Sequence, residues 1–232
     1  MSPEEAKEVL DKVVGSVFGY QNPLSLDEAM QKFAFDLRLP QQVQDYTTGE
    51  ATWALSVNPS KFISSKNLKL KSQETDWMIP KREINSVEDI ITAWAETNAT
   101  ATERSIESEN IGQSDAINAC ENVFRSMDIR DSKNVIFSDG GNNLEYVVAV
   151  SRSKTSSFCI RLEDSQLCSN SFNVIFSAKV TNSFFIQDCF DVMDCMFCSH
   201  LSGKRFCIAN MQYTEEEYKV IKEKVVRWIL TS

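Results

Sequence analysis

Seven cysteines carry the most reactive side chains in this sequence, and several of them are clustered. Cys195 and Cys198 form a Cys-x-x-Cys pair, with Cys189, His200 and Cys207 close by. Thiolates at this spacing can wrap a tetrahedral zinc ion. However, Cys189, Cys198 and Cys207 also recur at nine-residue intervals, as one interior column of a repeat would. Because such a column does not converge on one ion, we predict free, buried thiols that act as small hydrophobic residues, with no metal and no cofactor.

The same segment could support nucleophilic catalysis. Cys198 and His200 are two residues apart, so on a strand they would point the same way and could pair as thiolate and base. His200 is the only histidine, yet it occupies a repeat position held elsewhere by Asp, Asn or Thr. A turn residue is the simpler interpretation, so we predict no catalytic residue and regard enzymatic activity as unsupported.

Acidic side chains also recur in this half of the chain: Asp139, Glu145, Glu163, Asp164, Asp188, Asp191 and Asp194. Paired carboxylates cleave glycosidic bonds, and Asp188, Asp191 and Asp194 could contribute to one surface patch. Charged residues at the corners of a repeat are usually only solvated, and a sugar site needs a cleft that short repeats do not build. Carbohydrate binding or cleavage is therefore the alternative hypothesis for function.

These residues belong to a repeat that must position them. Turn-favouring markers follow one another at nine-residue intervals: Thr155, Asp164, Asn173, Asn182, Asp191 and, less typically, His200. Asn134 and Asn143 keep this period, but Asn143 and Thr155 are twelve residues apart, which indicates a three-residue insertion near Ser151 to Ser153. Two units would make an 18-residue coil, so residues from Asp131 to Ala209 would form roughly four to five stacked coils.

Three positions of this repeat are expected to face the interior. The first position holds Ser156, Ser165, Val174, Ser183, Val192 and Leu201. The third holds Phe158, Leu167, Phe176, Phe185 and Asp194, and the seventh holds Leu162, Ser171, Val180, Cys189, Cys198 and Cys207. Positions one and three would share a strand face. On this basis Phe176→Ala should cost about 3–5 kcal/mol and Asn173→Ala only ~1 kcal/mol.

The flanking segments contain signals for helices that could cover the ends of a solenoid. Thr214 with Glu217 fits a capping box, and an apolar face follows it, formed by Tyr218, Ile221, Val225, Trp228 and Ile229. Similar boxes begin helices at Ser2, Ser25 and Ser86, the last followed by an apolar stripe of Ile90, Ile91 and Trp94. The four tryptophans, Trp53, Trp77, Trp94 and Trp228, are interpreted as core residues.

The remaining pattern completes a predicted α+β fold. Residues 52–57 and 67–71 alternate as strands do, and residues 97–115 are polar, as in a linker or exposed loop. We therefore predict a mixed α/β region at 1–118, a parallel, right-handed β-helix or solenoid at 119–213, and a C-terminal capping helix at 214–232.

Composition limits the possible partners and location. Lys and Arg number 24 against 33 Asp and Glu, a net charge of −9 that would repel a nucleic-acid backbone. The acidic start lacks the features of a secretory signal, and no window of about 18 apolar residues suggests a membrane span. We expect a soluble, cytoplasmic protein with reduced thiols.

The segment from Gly203 to Tyr218 contains an aromatic-Cys-Ile group, an Asn-x-Gln-Tyr motif at 210–213 and an acidic helix start. In these features it resembles a junction in an uncharacterised cysteine-rich protein family of candidate-phyla (ultra-small) bacteria. The resemblance extends from about Val135 to the C-terminus. It implies a β-solenoid for that half and implies no activity.

With no phosphate-binding loop and a single histidine, the sequence favours a non-enzymatic interaction or scaffold module whose partner is another protein. The two hypotheses differ in the surface they require. A protein partner needs an exposed apolar patch, whereas a sugar needs a groove with carboxylates and exposed aromatic rings.

Overall fold

The computed structural model describes residues 1–59 and 61–231. Its helices are α1 (Pro3–Phe18), α2 (Leu26–Phe33), α3 (Ser65–Thr75), α4 (Val87–Ala95) and α5 (Glu215–Thr231). Its strands are β1 (Gln41–Gln44), β2 (Ala51–Ala54), β3 (Phe62–Ser64), β4 (Thr100–Thr102), β5 (Ser105–Ile106), β6 (Glu109–Gly112), β7 (Asp115–Asn118), β8 (Glu121–Phe124), β9 (Met127–Arg130), β10 (Lys133–Ile136), β11 (Asp139–Glu163), β12 (Ser169–Ile175), β13 (Ala178–Thr181), β14 (Phe184–Gln187), β15 (Phe190–Met193), β16 (Met196–Ser199), β17 (Cys207–Ile208) and β18 (Met211–Gln212).

The predicted parallel β-solenoid is confirmed, and it spans residues 105–208 in about nine turns. Its coil length differs from the prediction. Lys133 pairs with Glu121 on one side and with Glu145 on the other, so each coil contains twelve residues rather than eighteen. The solenoid also begins upstream of residue 119, because most of the stretch expected to be a linker forms strands of the first coils, β5 to β7.

Each coil has four corners, because every third residue adopts the left-handed conformation. Two positions before each corner lies a residue that points inward, and in the first coils these residues alternate between small and aliphatic. They are all buried: Ser114, Ile117, Cys120, Val123, Ser126, Ile129, Ser132 and Val135. In these coils, therefore, every third side chain points inward, and a small inward side chain recurs every six residues.

This three-residue step explains which parts of the nine-residue pattern are right. A nine-residue unit contains three of these three-residue steps, so positions one and seven of every unit point inward, as predicted. Because a coil has twelve residues, the same position lies on a different wall in the next unit. Position three always falls at a left-handed corner. The prediction that it faces the interior is wrong, and Leu167 and Phe176 are 47% and 56% exposed.

Buried serines have a definite role in stacking the coils. The Ser138 hydroxyl donates to the carbonyl of Ile136 and accepts the N–H of Val150, twelve residues later. Ser126 does the same for Ser138. Each inward serine thus satisfies a main-chain N–H of the next coil that no main-chain carbonyl reaches.

The expected insertion near Ser151 to Ser153 is absent, since the N–H of Asp164 bonds the carbonyl of Ser151 at the same thirteen-residue offset as Asp131 and Asn118 in an earlier coil. Instead the small–aliphatic alternation changes phase within β11. Three apolar interior residues, Leu144, Val147 and Val150, are followed by three small ones, Ser153, Ser156 and Cys159, all of them buried. The coil length stays constant while aliphatic residues move to different walls.

Helices cover one side of the solenoid. An apolar column projects outward there with a twelve-residue spacing: Phe124, Ile136, Val148, Ile160, Phe172, Phe184 and Met196, all buried. Helices α1, α2 and α5 pack on this column. Phe18 of α1 lies 5.4 Å from Phe172 and 5.7 Å from Phe184, ring centroid to centroid.

The predicted C-terminal helix is confirmed as α5. Tyr218 contacts Phe206 of the last coil, with ring centroids 5.8 Å apart, while Lys222 bonds Asn182 and lies over the Phe184 ring. The helix therefore lies along the side of the solenoid as well as against its last coil. Trp228, interpreted from the sequence as a core residue, is 54% exposed. Ser232, included in the predicted helical segment, lies outside the described residues.

The N-terminal α/β region joins the first coil through Asp115. This buried carboxylate accepts the N–H of Leu55 and is held by the Arg104 guanidinium at 2.8 and 3.0 Å. All three capping boxes predicted in this region are present. The strand predicted at 67–71 is instead part of α3, since the Ser64 hydroxyl caps the N–H of Asn67 and begins a helix.

Candidate functional site

The cysteine-rich segment does not converge as a metal site would. Cys189, Cys195 and Cys198 point inward from three different walls, and Cys207 stacks on Cys195 one coil later. All seven cysteines are unpaired and buried. Among residues 1–59 and 61–231, no group of three or more His, Cys, Asp or Glu side chains is placed to hold a metal ion.

The thiols have hydrogen-bond partners inside the solenoid. Cys198 donates to the carbonyl of Met196, and Cys189 donates to that of Gln187. The interaction between the two neighbouring thiols raises the pKa of Cys195, to which burial also contributes, and lowers the pKa of Cys198. Burial raises the pKa of Cys168 to about 11. The pKa is raised for six of the seven cysteines and lowered only for Cys198.

The candidate thiol–base pair does not form. Cys198 is 2% exposed and lies inside, whereas His200 sits at an exposed left-handed corner. Side chains two residues apart share a face only on a continuous strand. Strand β16 ends at Ser199, between Cys198 and His200. The chain direction changes between the two side chains, so they project to opposite sides of the wall.

The acidic patch that Asp188, Asp191 and Asp194 could have contributed to, under the alternative hypothesis, does not form. These three residues occupy three successive corners of a single coil, so their carboxylates point in different directions around it. Asp194, expected to face inward, instead accepts a hydrogen bond from Asn182 in the preceding coil. The other acidic candidates, including Glu163 and Asp164, are distributed along the coils.

A shallow groove lies on a side that the helices leave uncovered. It encloses about 650 Å³ and is lined by Arg152, Lys154, Asp164, Ser165, Gln166, Phe176, Ser177, Ala178, Asp188, Cys189 and Phe190. Its floor is the wall formed by Ser165, Ser177 and Cys189, whose small side chains point inward. A neighbouring depression of about 610 Å³ shares Arg152 and Lys154 and extends toward Asp128 and Arg130. We call this combined surface the open groove.

Ion pairs hold the charged side chains of the open groove. The Arg152 guanidinium contacts Asp164 at 2.7 Å and Glu163 at 2.8 Å, and the hydrogen bonds that it donates to Asp164 raise the pKa of Arg152 above its usual value. Asp164 and Asp188 lie in one column two coils apart, a separation of ~9.6 Å along the axis. Carboxyl pairs in glycosidases are about 5–9.5 Å apart. Because this separation lies at the wide limit and Asp164 is bound by an arginine, the groove is better suited to binding than to acid–base catalysis.

Two phenylalanines give the open groove its apolar character. Phe176 projects from a corner and Phe190 from the adjacent strand, and they are 56% and 49% exposed. The ammonium of Lys179 lies 5.0 Å from the Phe190 ring centroid. Reasoning from the sequence missed this site, since Phe176 was expected inside. The signal that would have located it is an outward aromatic residue directly beside a small inward residue. Phe176 directly precedes Ser177, and Phe190 directly follows Cys189.

In comparison with known proteins, no family model matches the sequence and no curated protein shows significant similarity to it. Among the described helices, none is both long and apolar enough to cross a membrane.

Proposed function

We propose that this protein is a non-enzymatic interaction module whose open groove binds an extended segment of another protein. The observation that carries the proposal is Phe176. Left-handed corners favour Asn, Asp or Gly, and the neighbouring corners of this column are Asp164 and Asp188. A phenylalanine at this corner helps neither the turn nor the core, so its exposure is best explained by binding.

Other aromatic corner residues support this distinction, because they have partners. Phe158 stacks on Tyr146 with centroids 4.9 Å apart, and Phe185 stacks on Phe197 at 4.4 Å. Within the described part of the chain, Phe176 makes no comparable ring contact. It is therefore the corner ring most available to a partner.

The spacing of the coils fits an extended polypeptide. Three residues of extended or polyproline-like chain span ~9–10 Å, and two coils span ~9.6 Å. A segment in the polyproline conformation lying along the groove would therefore present every third side chain to the same column of the solenoid, because that helix has three residues per turn. The net charge of −9 disfavours nucleic acid as the ligand, and seven unpaired cysteines suit a reducing compartment such as the cytoplasm.

Carbohydrate binding is the second candidate. It is favoured by one observation, the presence of the Asp164 and Asp188 carboxylates beside the exposed rings of Phe176 and Phe190. Stacking on those rings and hydrogen bonds to Asp188 would hold a sugar chain. In this candidate function the carboxylates of Asp164 and Asp188 bind the sugar and do not act as catalysts.

Selection from a displayed random-peptide library, paired with a glycan array, tests these candidates. We expect the full chain to select peptides whose affinity falls at least ~10-fold in Phe176→Ser and in Phe190→Ser, a loss of ~1.4 kcal/mol or more. Ile106→Ser, which changes an exposed apolar residue of the first coil, should bind as the unaltered protein does. Glycan binding abolished by Asp188→Asn would establish the second candidate instead. No selected ligand, or equal losses in all variants, would reject the groove.

A further inference from the structure

Helix α4 exposes its entire apolar stripe. Val87, Ile90, Ile91 and Trp94 are 51–64% exposed, and none of the residues of this helix is buried. The helix belongs to an arm, residues 65–99, inserted between β3 and β4, which pair with each other in parallel. Trp94 was interpreted from the sequence as a core residue, and the structure shows that it is exposed.

The spacing of these residues is that of a helix-packing face. Positions 87, 90, 91 and 94 follow the i, i+3, i+4, i+7 pattern, which places all four side chains on one stripe. Together they expose on the order of 500 Å² of apolar surface, more than half of the ~800 Å² that each partner buries in a standard interface. Met78, Ile79 and Ile84, also exposed, extend the surface along the same arm.

The charges on the arm are separated along the helix. Glu88 and Asp89 lie in the first turn of α4. At the other end, the Lys61 ammonium donates to the carbonyl of Ala95, and Arg82 pairs with Glu96 at 2.8 Å. The apolar stripe therefore runs from an acidic end with two carboxylates to an end where Lys61 and Arg82 outnumber the one carboxylate, Glu96, that pairs with Arg82.

We propose that α4 is a homodimer interface in which the α4 helices of two copies pack antiparallel. In this arrangement the apolar stripes cover each other, and Glu88 of each copy lies beside Lys61 and Arg82 of the other. A parallel arrangement would instead place like charges together. The acidic first turn and the absence of Lys or Arg within α4 oppose binding to an anionic membrane surface. This interface is separate from the open groove.

Sedimentation of the full chain across a concentration series is the first test. We expect a dimer that Ile90→Glu converts to a monomer, because the change places a charge at the centre of the stripe. Ile106→Glu, the matched control on the solenoid, should remain dimeric. The interface is rejected if the unaltered protein is monomeric at about 100 μM, a concentration that would populate even a weak dimer. It is also rejected if Ile90→Glu leaves the dimer intact, or if α4 binds neutral phosphatidylcholine vesicles as a monomer.

A charge exchange tests the antiparallel orientation. Glu88→Arg and Arg82→Glu should each weaken self-association at least ~10-fold, since each places like charges at both ends of the dimer. Mixing the two variants pairs the introduced arginine with the introduced glutamate at one end of the dimer and restores the original pair at the other. We expect the mixture to form a heterodimer with an affinity close to that of the unaltered protein. A mixture that associates no better than its components would overturn the arrangement.

Discussion

Two phenylalanines eight residues apart give the sharpest test of which side chains face inward and which face outward. Phe184 is fully buried between the solenoid and its covering helices, whereas Phe176 is 56% exposed at a corner. We expect Phe184→Ala to destabilise the protein strongly and Phe176→Ala to change its stability little. This reverses the expectation from the nine-residue pattern, in which Phe176 was a core residue.

The magnitudes follow from the contacts that each ring makes. Phe184 packs against Phe18 at 5.7 Å and Phe172 at 6.5 Å, and Lys222 lies over its ring at 4.8 Å. Removing a ring from such a site costs about 3–5 kcal/mol, through lost burial and the cavity left behind. Phe176→Ala removes an exposed ring and keeps the same left-handed backbone strain, so its effect should be within ~0.5 kcal/mol.

Urea unfolding followed by far-ultraviolet circular dichroism measures both changes. The midpoint should fall clearly for Phe184→Ala with an unchanged slope, and should stay near its original value for Phe176→Ala. Equal losses for the two variants, or a larger loss for Phe176→Ala, would show that the assignment of interior and exterior positions is incorrect.

Three further outcomes are expected. Ser138→Ala should cost about 1–3 kcal/mol in urea unfolding, because it leaves the N–H of Val150 without an acceptor, and Ser138→Cys should cost less, as sulfur can still accept. A thiol reagent at pH 8 should label no cysteine in the folded protein and all seven after denaturation, since all are buried; rapid labelling of the native state would contradict this. Burial favours a higher pKa for Asp45, but hydrogen bonds from Thr47, Ser64 and Asn67 outweigh it and hold the pKa well below its usual range. Its stabilising contribution should therefore be complete above about pH 4 and be lost as the pH falls further, and Asp45→Asn should remove this part of the pH dependence.

The solenoid was predictable because its interior positions recur at fixed intervals. Ser165, Val174 and Ser183 are inward in the structure, as the pattern indicated. The coil length was not predictable from those markers. Nine residues are a whole number of three-residue steps but not a whole number of twelve-residue coils. Each marker therefore lies at a corner, as the previous marker does, but on a different wall of the solenoid. The small–aliphatic alternation of Ser126, Ile129 and Ser132 reveals six-residue periodicity, but the phase change in β11 interrupts it.

The orientation of the aromatic residues was mispredicted for a different reason. Large apolar residues in a β-rich segment are normally assigned to a strand face that is buried. Here Phe158, Phe176 and Phe185 occupy left-handed corners, a conformation that bulky residues rarely adopt. Nothing in the local sequence separates a covered corner, such as Phe185, from an exposed one, such as Phe176. That difference depends on where α1, α2 and α5 pack.

The open groove could not be read as a linear motif, because its residues come from successive coils. Arg152 and Asp164 are neighbours only because twelve residues complete a turn, and an assumed eighteen-residue coil separates them. The same holds for Phe176 and Asp188. With a twelve-residue coil, the outward residues on each side of the inward Ser165, Ser177 and Cys189 form two adjacent columns. These two columns line the open groove.

The interior of the coil decides where any function must lie. Four inward side chains fill each twelve-residue coil, and their hydroxyl and thiol groups are occupied in joining one coil to the next, as at Ser138 and Cys189. The described coils therefore have no interior space for a ligand or a reaction. Specificity has to come from the outward columns and from segments attached to the solenoid. One of these columns is covered by helices and contributes stability, while the open groove and the α4 stripe remain accessible. An accessible apolar surface on an otherwise well-packed scaffold is the property expected of a protein that acts by binding.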